Sequence, residues 1–309
     1  MRMIESVLTV GQQVIILFIL IGVGFFCAKV KFLNKESIKG IINLILYIVT
    51  PCVIVNSFHR EYDVNSAKGL MIAVIVAVFV HILNILLANL FVRDKIEARR
   101  RVLHNGVVFS NCAFMSIPLQ VALLGSEGVF YAAGYIGVFN IFLWTYGLIS
   151  MSGDRHIDIK KIILNPGIIG VLIGAIIFFA QIHLPDIIDT PMEYLAELNT
   201  PLPMIVIGYY LAKAKLLERL KDKNLYITLF LRLVISPMIA LVTMVMFGLK
   251  GTILISCVIS ASAPVAAANT MFTEKFGQDV ELSVSLVALS TVLSIITMPI
   301  IVGLAGIFI

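Results

Sequence analysis

Apolar residues run through this chain in long stretches, and charge, Gly, Pro and Asn collect between them. The stretches fall at 7–28, 38–58, 67–92, 102–124, 128–151, 162–182, 199–214, 224–249, 252–273 and 280–309. A helix rises 1.5 Å per residue, so about 20 apolar residues cross a bilayer core of ~30 Å. The pattern therefore predicts ten transmembrane helices. The seventh is short and carries Pro201 and Pro203 near its start, and the eighth contains Arg232 and Pro237. The first run, Val7 to Ala28, is longer than the ~7–15 residues of a signal-peptide core and lacks a small-x-small cleavage site, so it reads as a retained span.

Composition removes the soluble alternative. Of 309 residues 60% are apolar and only 13% charged, with a mean hydropathy of +1.04. That is about half the charge of an average soluble domain, too little to cover one. Ten spans use roughly 200 residues and leave about 100 for connections, so no soluble domain is expected. The net charge of +5 would suggest nucleic acid in a soluble protein, but the basic residues lie in turns between apolar runs, and no nucleic-acid partner is expected. Cys27, Cys52, Cys112 and Cys257 sit inside apolar runs without paired spacing, which reads as four free thiols. No metal site and no cofactor is expected.

The basic residues report orientation. Connections 1–2, 3–4, 5–6, 7–8 and 9–10 hold eighteen Lys and Arg, from Lys29 to Lys275, whereas the opposite set holds only Arg2, Arg60, Lys68 and Lys250. The positive-inside rule makes the rich set cytoplasmic, which puts both termini outside the cytoplasm of a multi-pass protein of the cell (plasma or inner) membrane. The 182–200 connection, with Asp186, Asp189, Glu193 and Glu197 and no Lys or Arg, then faces outward.

Weak echoes recur at a spacing of about 150 residues: Thr50-Pro51 with Thr200-Pro201, Gly125-Ser126-Glu127 with Gly277-Gln278-Asp279, and Gly22 and Phe26 with Gly174 and Phe178. They divide the chain into two five-helix repeats, 1–155 and 156–309, meeting near Ser152 to Asp158. Repeats of odd span number insert in opposite senses, the inverted plan of many secondary transporters. The expected fold is thus an all-α polytopic membrane protein of two inverted repeats, with broken, crossing fourth and ninth helices.

Two segments carry the candidate chemistry. Ser110, Asn111, Ser116 and Pro118 fall in the middle of the fourth span, and Ser262, Pro264, Asn269 and Thr270 in the middle of the ninth. A mid-membrane Pro removes an amide donor and frees a carbonyl, which breaks the helix. Pro and small residues are common in membrane helices, so either segment alone is a weak sign, and the paired placement reverses that judgement. Half-helix N-termini expose N–H groups, and Asn amides and Ser hydroxyls add donors without a permanent charge, so the segments suit an anion such as a carboxylate. Pro51, Pro201 and Pro203 read as kinks that support the breaks.

Ionisable groups inside spans are few. Arg232, about eight residues into its span, is expected to snorkel or to bond another helix, and His81 to be a satisfied interhelical donor. Glu274, Asp279 and Glu281 read as gating or helix-capping groups at the cytoplasmic ends of the ninth and tenth spans. There is no HExxH, GxSxG or P-loop motif and no buried aspartate pair, which argues against an enzyme or an ATP-driven pump.

At these residues the chain resembles the auxin efflux carrier family, which includes PIN-type auxin exporters and bacterial malate or malonate permeases. Asn111 followed by Ile117-Pro118-Leu119 is similar to the family's fourth-span segment, Asn165-Pro166-Gly167-Ile168-Ile169-Gly170 to its NPxxxG signature, and Ala263-Pro264 with Phe272 and Glu274-Lys275-Phe276 to its ninth span. The likeness covers essentially the whole chain. It implies a scaffold domain and a transport domain, each drawn from both repeats, an elevator-type cycle, often a homodimer, and Asn111, Pro118, Pro264 and Asn269 as site residues. Asn269 stands where plant members have a second Pro, and the long plant cytoplasmic loop is missing.

The function expected is secondary transport of a small organic anion, a carboxylate or auxin-like acid. The alternative is a sodium- or proton-coupled antiporter or symporter with a cation site at the broken helices, since freed carbonyls can also hold a cation.

Overall fold

The computed structural model describes residues 2–153, 160, 164–213 and 221–308, which form helices and one isolated antiparallel bridge. In chain order they are α1 (Arg2–Lys29), α2 (Lys35–Phe58), α3 (Val64–Phe91), α4 (Glu97–Val108), α5 (116–124), α6 (126–152), α7 (Pro166–Ala180), α8 (Asp186–Glu197), α9 (Pro201–Lys213), α10 (Lys223–Met246), α11 (Gly251–Ser262), α12 (Ala268–Lys275) and α13 (Val280–Ala305). Among the described residues, five stretches are long and apolar enough to cross a membrane: α2, α3, Ser116–Ser152, α10 and Val280–Phe308. Val14–Lys29, α7 and α11 are shorter apolar helices. The expected boundary between 155 and 156, and Arg155, Lys161, Lys215 and Arg219 of the basic set, lie outside the described residues.

Polar residues between the apolar runs start the helices. Side-chain oxygens of Asn34, Asp63, Asn165, Asp222 and Asp279 accept the free N–H groups of the first turns of α2, α3, α7, α10 and α13. Gly125 folds α5 back into α6 at φ 63°, ψ −153°, a conformation open essentially to glycine, and Gly277 takes φ 63° after α12. The 182–200 connection also holds a helix that the apolar pattern did not predict, α8, opened by Pro185 and the acidic Asp186 and Asp189.

The prolines expected to kink helices act differently. Pro51 and Pro237 each follow a five-residue π-helical turn, Ile45–Val49 in α2 and Leu231–Ile235 in α10. A proline ring clashes with the carbonyl four residues back, here Tyr47 and Leu233, and the widened turn accommodates it while the helix continues. Pro201 heads α9, with Pro203 in its first turn, where missing N–H groups cost nothing. They start a helix and do not bend one.

The connections gather on two faces. On one, Arg99 at the start of α4 reaches Asp94 (3.1 Å), Asp222 before α10 (2.5 Å) and Asp279 before α13 (3.8 Å). On the same face Arg101 and Gln278 both donate to the Met151 carbonyl at 3.1 Å, and Lys35 pairs with Glu274. On the other, the Tyr62 N–H donates to Gln181 (2.9 Å), His59 meets Asp189 (3.2 Å) and Thr252 donates to Glu127 (3.3 Å).

Glycines set the closest helix contacts, as expected where small residues let backbones approach. α1 lies against α9 through Gly24 and Gly208, where any Cβ would run into the facing backbone, and α7 lies against α2 through Gly170 on Pro51 and Gly174 on Phe58. Most of the buried side chains form one core through α3 to α6, α10, α11 and α13. A second core, with Ile38, Ile42, Ile45, Val206 and Tyr209, takes in Phe114 and Ala267 from the two gaps between half-helices.

Candidate binding site at the crossing

α4 ends at Val108 and α11 at Ser262, and each chain then runs extended before its helix resumes. Pro264 forces Ala263 out of the helical region, to φ −59°, ψ 147°, because its ring crowds the preceding residue. Pro118, in the first turn of α5, denies an N–H to the Phe114 carbonyl and so fixes where that helix can begin. The extended pieces cross as an antiparallel bridge between Ser110 and Val265. The Asn111 N–H donates to the Pro264 carbonyl at 2.7 Å and the Ala266 N–H to Phe109 at 3.0 Å. Backbone groups freed by breaking two helices thus satisfy each other, which a membrane interior demands. Ser290 of α13 completes the crossing by accepting from the Val265 N–H (3.1 Å).

Beside the bridge lies a cavity of about 110 Å³. Asn111, Phe114 and Ala266 to Ala268 come to it from the gaps, Tyr47 and Thr50 from α2, Asn140 and Trp144 from α6, Asn165 to Gly167 from the start of α7, and Phe272 from α12. Two helix N-termini, those of α7 and α12, therefore open on it, and among the described residues no ionisable side chain other than that of Tyr47 lines it. The Asn111 Nδ2 and the Thr50 hydroxyl are buried without a partner among the described residues. The walls are otherwise apolar and aromatic, with Trp144 edge-on to Phe272 at 5.6 Å. Gly167 packs closely here: a Cβ would come within 2.6 Å of the Asn140 amide, which would have to move aside. A wider, open cleft of about 700 Å³ on the face of Arg99, lined by Arg93, Lys95, Arg100 and His104, does not reach the bridge.

Of the site residues expected from sequence, Asn111 lines this cavity, as do Asn165 to Gly167 and Phe272 from the family-like segments. Ser110 belongs to the bridge, and Pro118 and Pro264 shape the breaks. Ser116 faces Ser260 (3.3 Å) within a buried cluster in which Gln120 donates to the Ser256 carbonyl (2.9 Å) and to Ser260 (3.1 Å). Ser262 bonds back to Ile259 (3.3 Å), Thr270 meets Ser283 (3.1 Å), and Asn269 donates to the Val102 carbonyl of α4 (3.3 Å). These tie the half-helices to their neighbours. Asn140, Trp144 and Gln120 went unread, although Gln120 four residues after Ser116 was a visible polar pair on one helix face.

Of the two expectations for Arg232, the bond to another helix is the one observed, and it does not snorkel. It is 0% exposed, and its guanidinium donates to the Val107 carbonyl (3.1 Å) and to the Ala261 carbonyl, the C-terminal turns of α4 and α11. His81 is satisfied as expected, but by its own helix, through the Ala77 carbonyl at 2.7 Å.

The family model described as "Membrane transport protein" matches residues 9–156 and 155–302. The chain belongs to the auxin efflux carrier family of membrane transport proteins. The likeness seen in Asn111 to Leu119, Asn165 to Gly170 and Ala263 to Phe276 is thereby borne out. Among its curated relatives, an uncharacterized transporter of Methanothermobacter thermautotrophicus is 25% identical over 300 residues, 93% of this chain and 96% of the relative. An uncharacterized transporter of Methanocaldococcus jannaschii is 26% identical over 298 residues, 92% and 94% respectively.

Proposed function

We propose that this family member is a secondary carrier of small organic anions, a carboxylate or auxin-like acid, with the cavity beside the bridge as its binding site. The observation that carries the reading is the Asn111 amide, buried without a partner among the described residues, on a residue that lines a small, largely uncharged, aromatic-walled cavity on which two helix N-termini open. Such a site offers a carboxylate donors and positive partial charge, and offers an apolar body a dry wall. It holds an anion without a fixed ion pair that would resist release.

In this reading the chain crosses the membrane ten times as two inverted five-helix repeats. The grouping of connections on two faces supports it, as does the paired glycine packing of α1 on α9 and of α7 on α2. The basic face is cytoplasmic, both termini lie outside, and the protein resides in the cell membrane, commonly as a homodimer. The bridge and its half-helices move as an elevator against α1, α2, α7 and α9. Uptake of labelled dicarboxylates and of indole-3-acetate into proteoliposomes, with pH, sodium and potential gradients imposed one at a time, tests this. Saturable flux of an acid is expected, and a folded protein that moves none of them under any gradient would overturn the proposal.

A further inference from the structure

Two helix N-termini open on the cavity, and the C-terminal turns of α4 and α11 come together elsewhere at the crossing, on one side chain. Each such end carries about half a negative charge in unpaired carbonyls, so the ends of α4 and α11 together present roughly −1. In carriers built on broken helices, unwound carbonyls and half-helix C-termini are where a coupling sodium ion is coordinated. In this chain one side chain already holds a carbonyl from each end, Val107 from α4 and Ala261 from α11. That side chain is Arg232, wholly buried, with Tyr135, Cys112 and His81 as the titratable groups around it. Among the described residues it forms no ion pair with any Asp or Glu. Its unit charge therefore answers the two helix ends and nothing else. Arg232 sits in the π-helical turn Leu231–Ile235, a local feature often found at functional sites.

We propose that Arg232 is a resident cation at the crossing: it takes the place of an exchangeable coupling ion, so that this carrier closes its transport cycle without binding sodium there. This deepens the function proposed above and rests on it, since the crossing must be the transport site for the absence of sodium to matter. It also decides against the sodium-coupled alternative left open by the sequence.

Thermal melting of the purified full-length protein tests the inference without any substrate. Wild type is expected to melt at the same temperature in sodium, potassium and choline chloride of equal ionic strength. A sodium-specific rise for wild type would overturn the proposal. Arg232→Ala is expected to melt lower in choline and to recover with methylguanidinium or sodium at concentrations that leave wild type unmoved. An alanine variant as stable as wild type, or one that neither cation rescues, would mean that Arg232 only fills space, and would overturn it. Should the alanine variant not fold, Arg232→Lys and Arg232→Met separate charge from shape. Folding of the lysine form with failure of the methionine form supports the resident cation, whereas equal behaviour of the two overturns it. Absence of uptake with an unchanged melting pattern would instead count against the carrier reading alone.

Discussion

The two helix breaks are made from the same kinds of residue and use them for different ends. Each has a proline that ends or starts a half-helix, a serine beside it and a buried asparagine. In the first, the Asn111 backbone is spent on the bridge and its side-chain amide has no partner among the described residues. In the second, the Asn269 amide is spent on the Val102 carbonyl and ties α12 to α4. The breaks also differ at their ends on the basic face. In the first turn of α4, Arg99 is 16% exposed among three carboxylates, whereas in the last turn of α12 Glu274 is held to Lys35 by a pair with 79% and 50% exposed side chains. Matched sequence ingredients thus give one break with an uncommitted asparagine amide beside the cavity and a firmly fixed helix, and another that is packed inside and lightly held at its rim.

The largest expected effect separates the two asparagines. Asn111→Ala removes a donor that makes no other protein bond, so transport should fall roughly 10- to 100-fold, the 1.5–3 kcal/mol of a hydrogen bond to a charged group, with little change in melting temperature. Asn269→Ala removes a tie between half-helices, so stability should fall by about 1 kcal/mol while transport persists at wild-type rates. Uptake and melting measured on both variants, after confirming membrane insertion, decide the matter. The reverse pattern would make the second break the one that binds.

What was legible in advance follows the range of the interactions. Pro118 and Pro264 act on residues within four positions, so both breaks could be placed from the chain alone. The apolar runs and the capping residues between them are local in the same sense, and they located the helices. The partners of Arg232 lie 125 and 29 residues away, and the carbonyls it meets exist only because two other helices break. Its charge in an apolar run was visible, but its task was not. Pro51 was visible too, yet whether a proline kinks a helix or widens it into a π-turn depends on what packs beside it, here α7 through Gly170. Asn140 of the cavity looked like any polar residue in a span until α7 brought Gly167 against it.

A second effect concerns the rims. Arg99→Met strands the Asp94 and Asp222 carboxylates, whose side chains are only 8% and 12% exposed, so a loss of roughly 2 kcal/mol is expected, with α4 loosened from α10 and α13. Glu274→Gln removes an exposed pair of the kind that salt screens, so it should leave melting almost unchanged. Chemical denaturation of both variants at low and high salt sharpens the contrast. Equal losses would show that the second break is as firmly anchored as the first.

The smallest effect is the share of that anchoring which depends on the charge of Asp94. Burial pushes the Asp94 carboxyl up, but hydrogen bonds from the Ile96 N–H, Asn224 and Arg99, together with the Arg99 charge, outweigh this and hold it below its ordinary value of 3.8. A carboxyl whose folded value is depressed binds its proton more readily in the unfolded chain. Its contribution is therefore complete above the ordinary value and is lost as the pH falls through the folded one. The gap in melting temperature between wild type and Asp94→Asn should be steady from about pH 7 to about pH 5 and close as the pH falls below the ordinary value of 3.8, with about 1 kcal/mol at stake. A gap that stayed open in acid would mean that Asp94 holds α4 through hydrogen-bond geometry and not through charge. In that case the firmness of the first break would no longer be electrostatic, and its difference from the second would lie in packing alone.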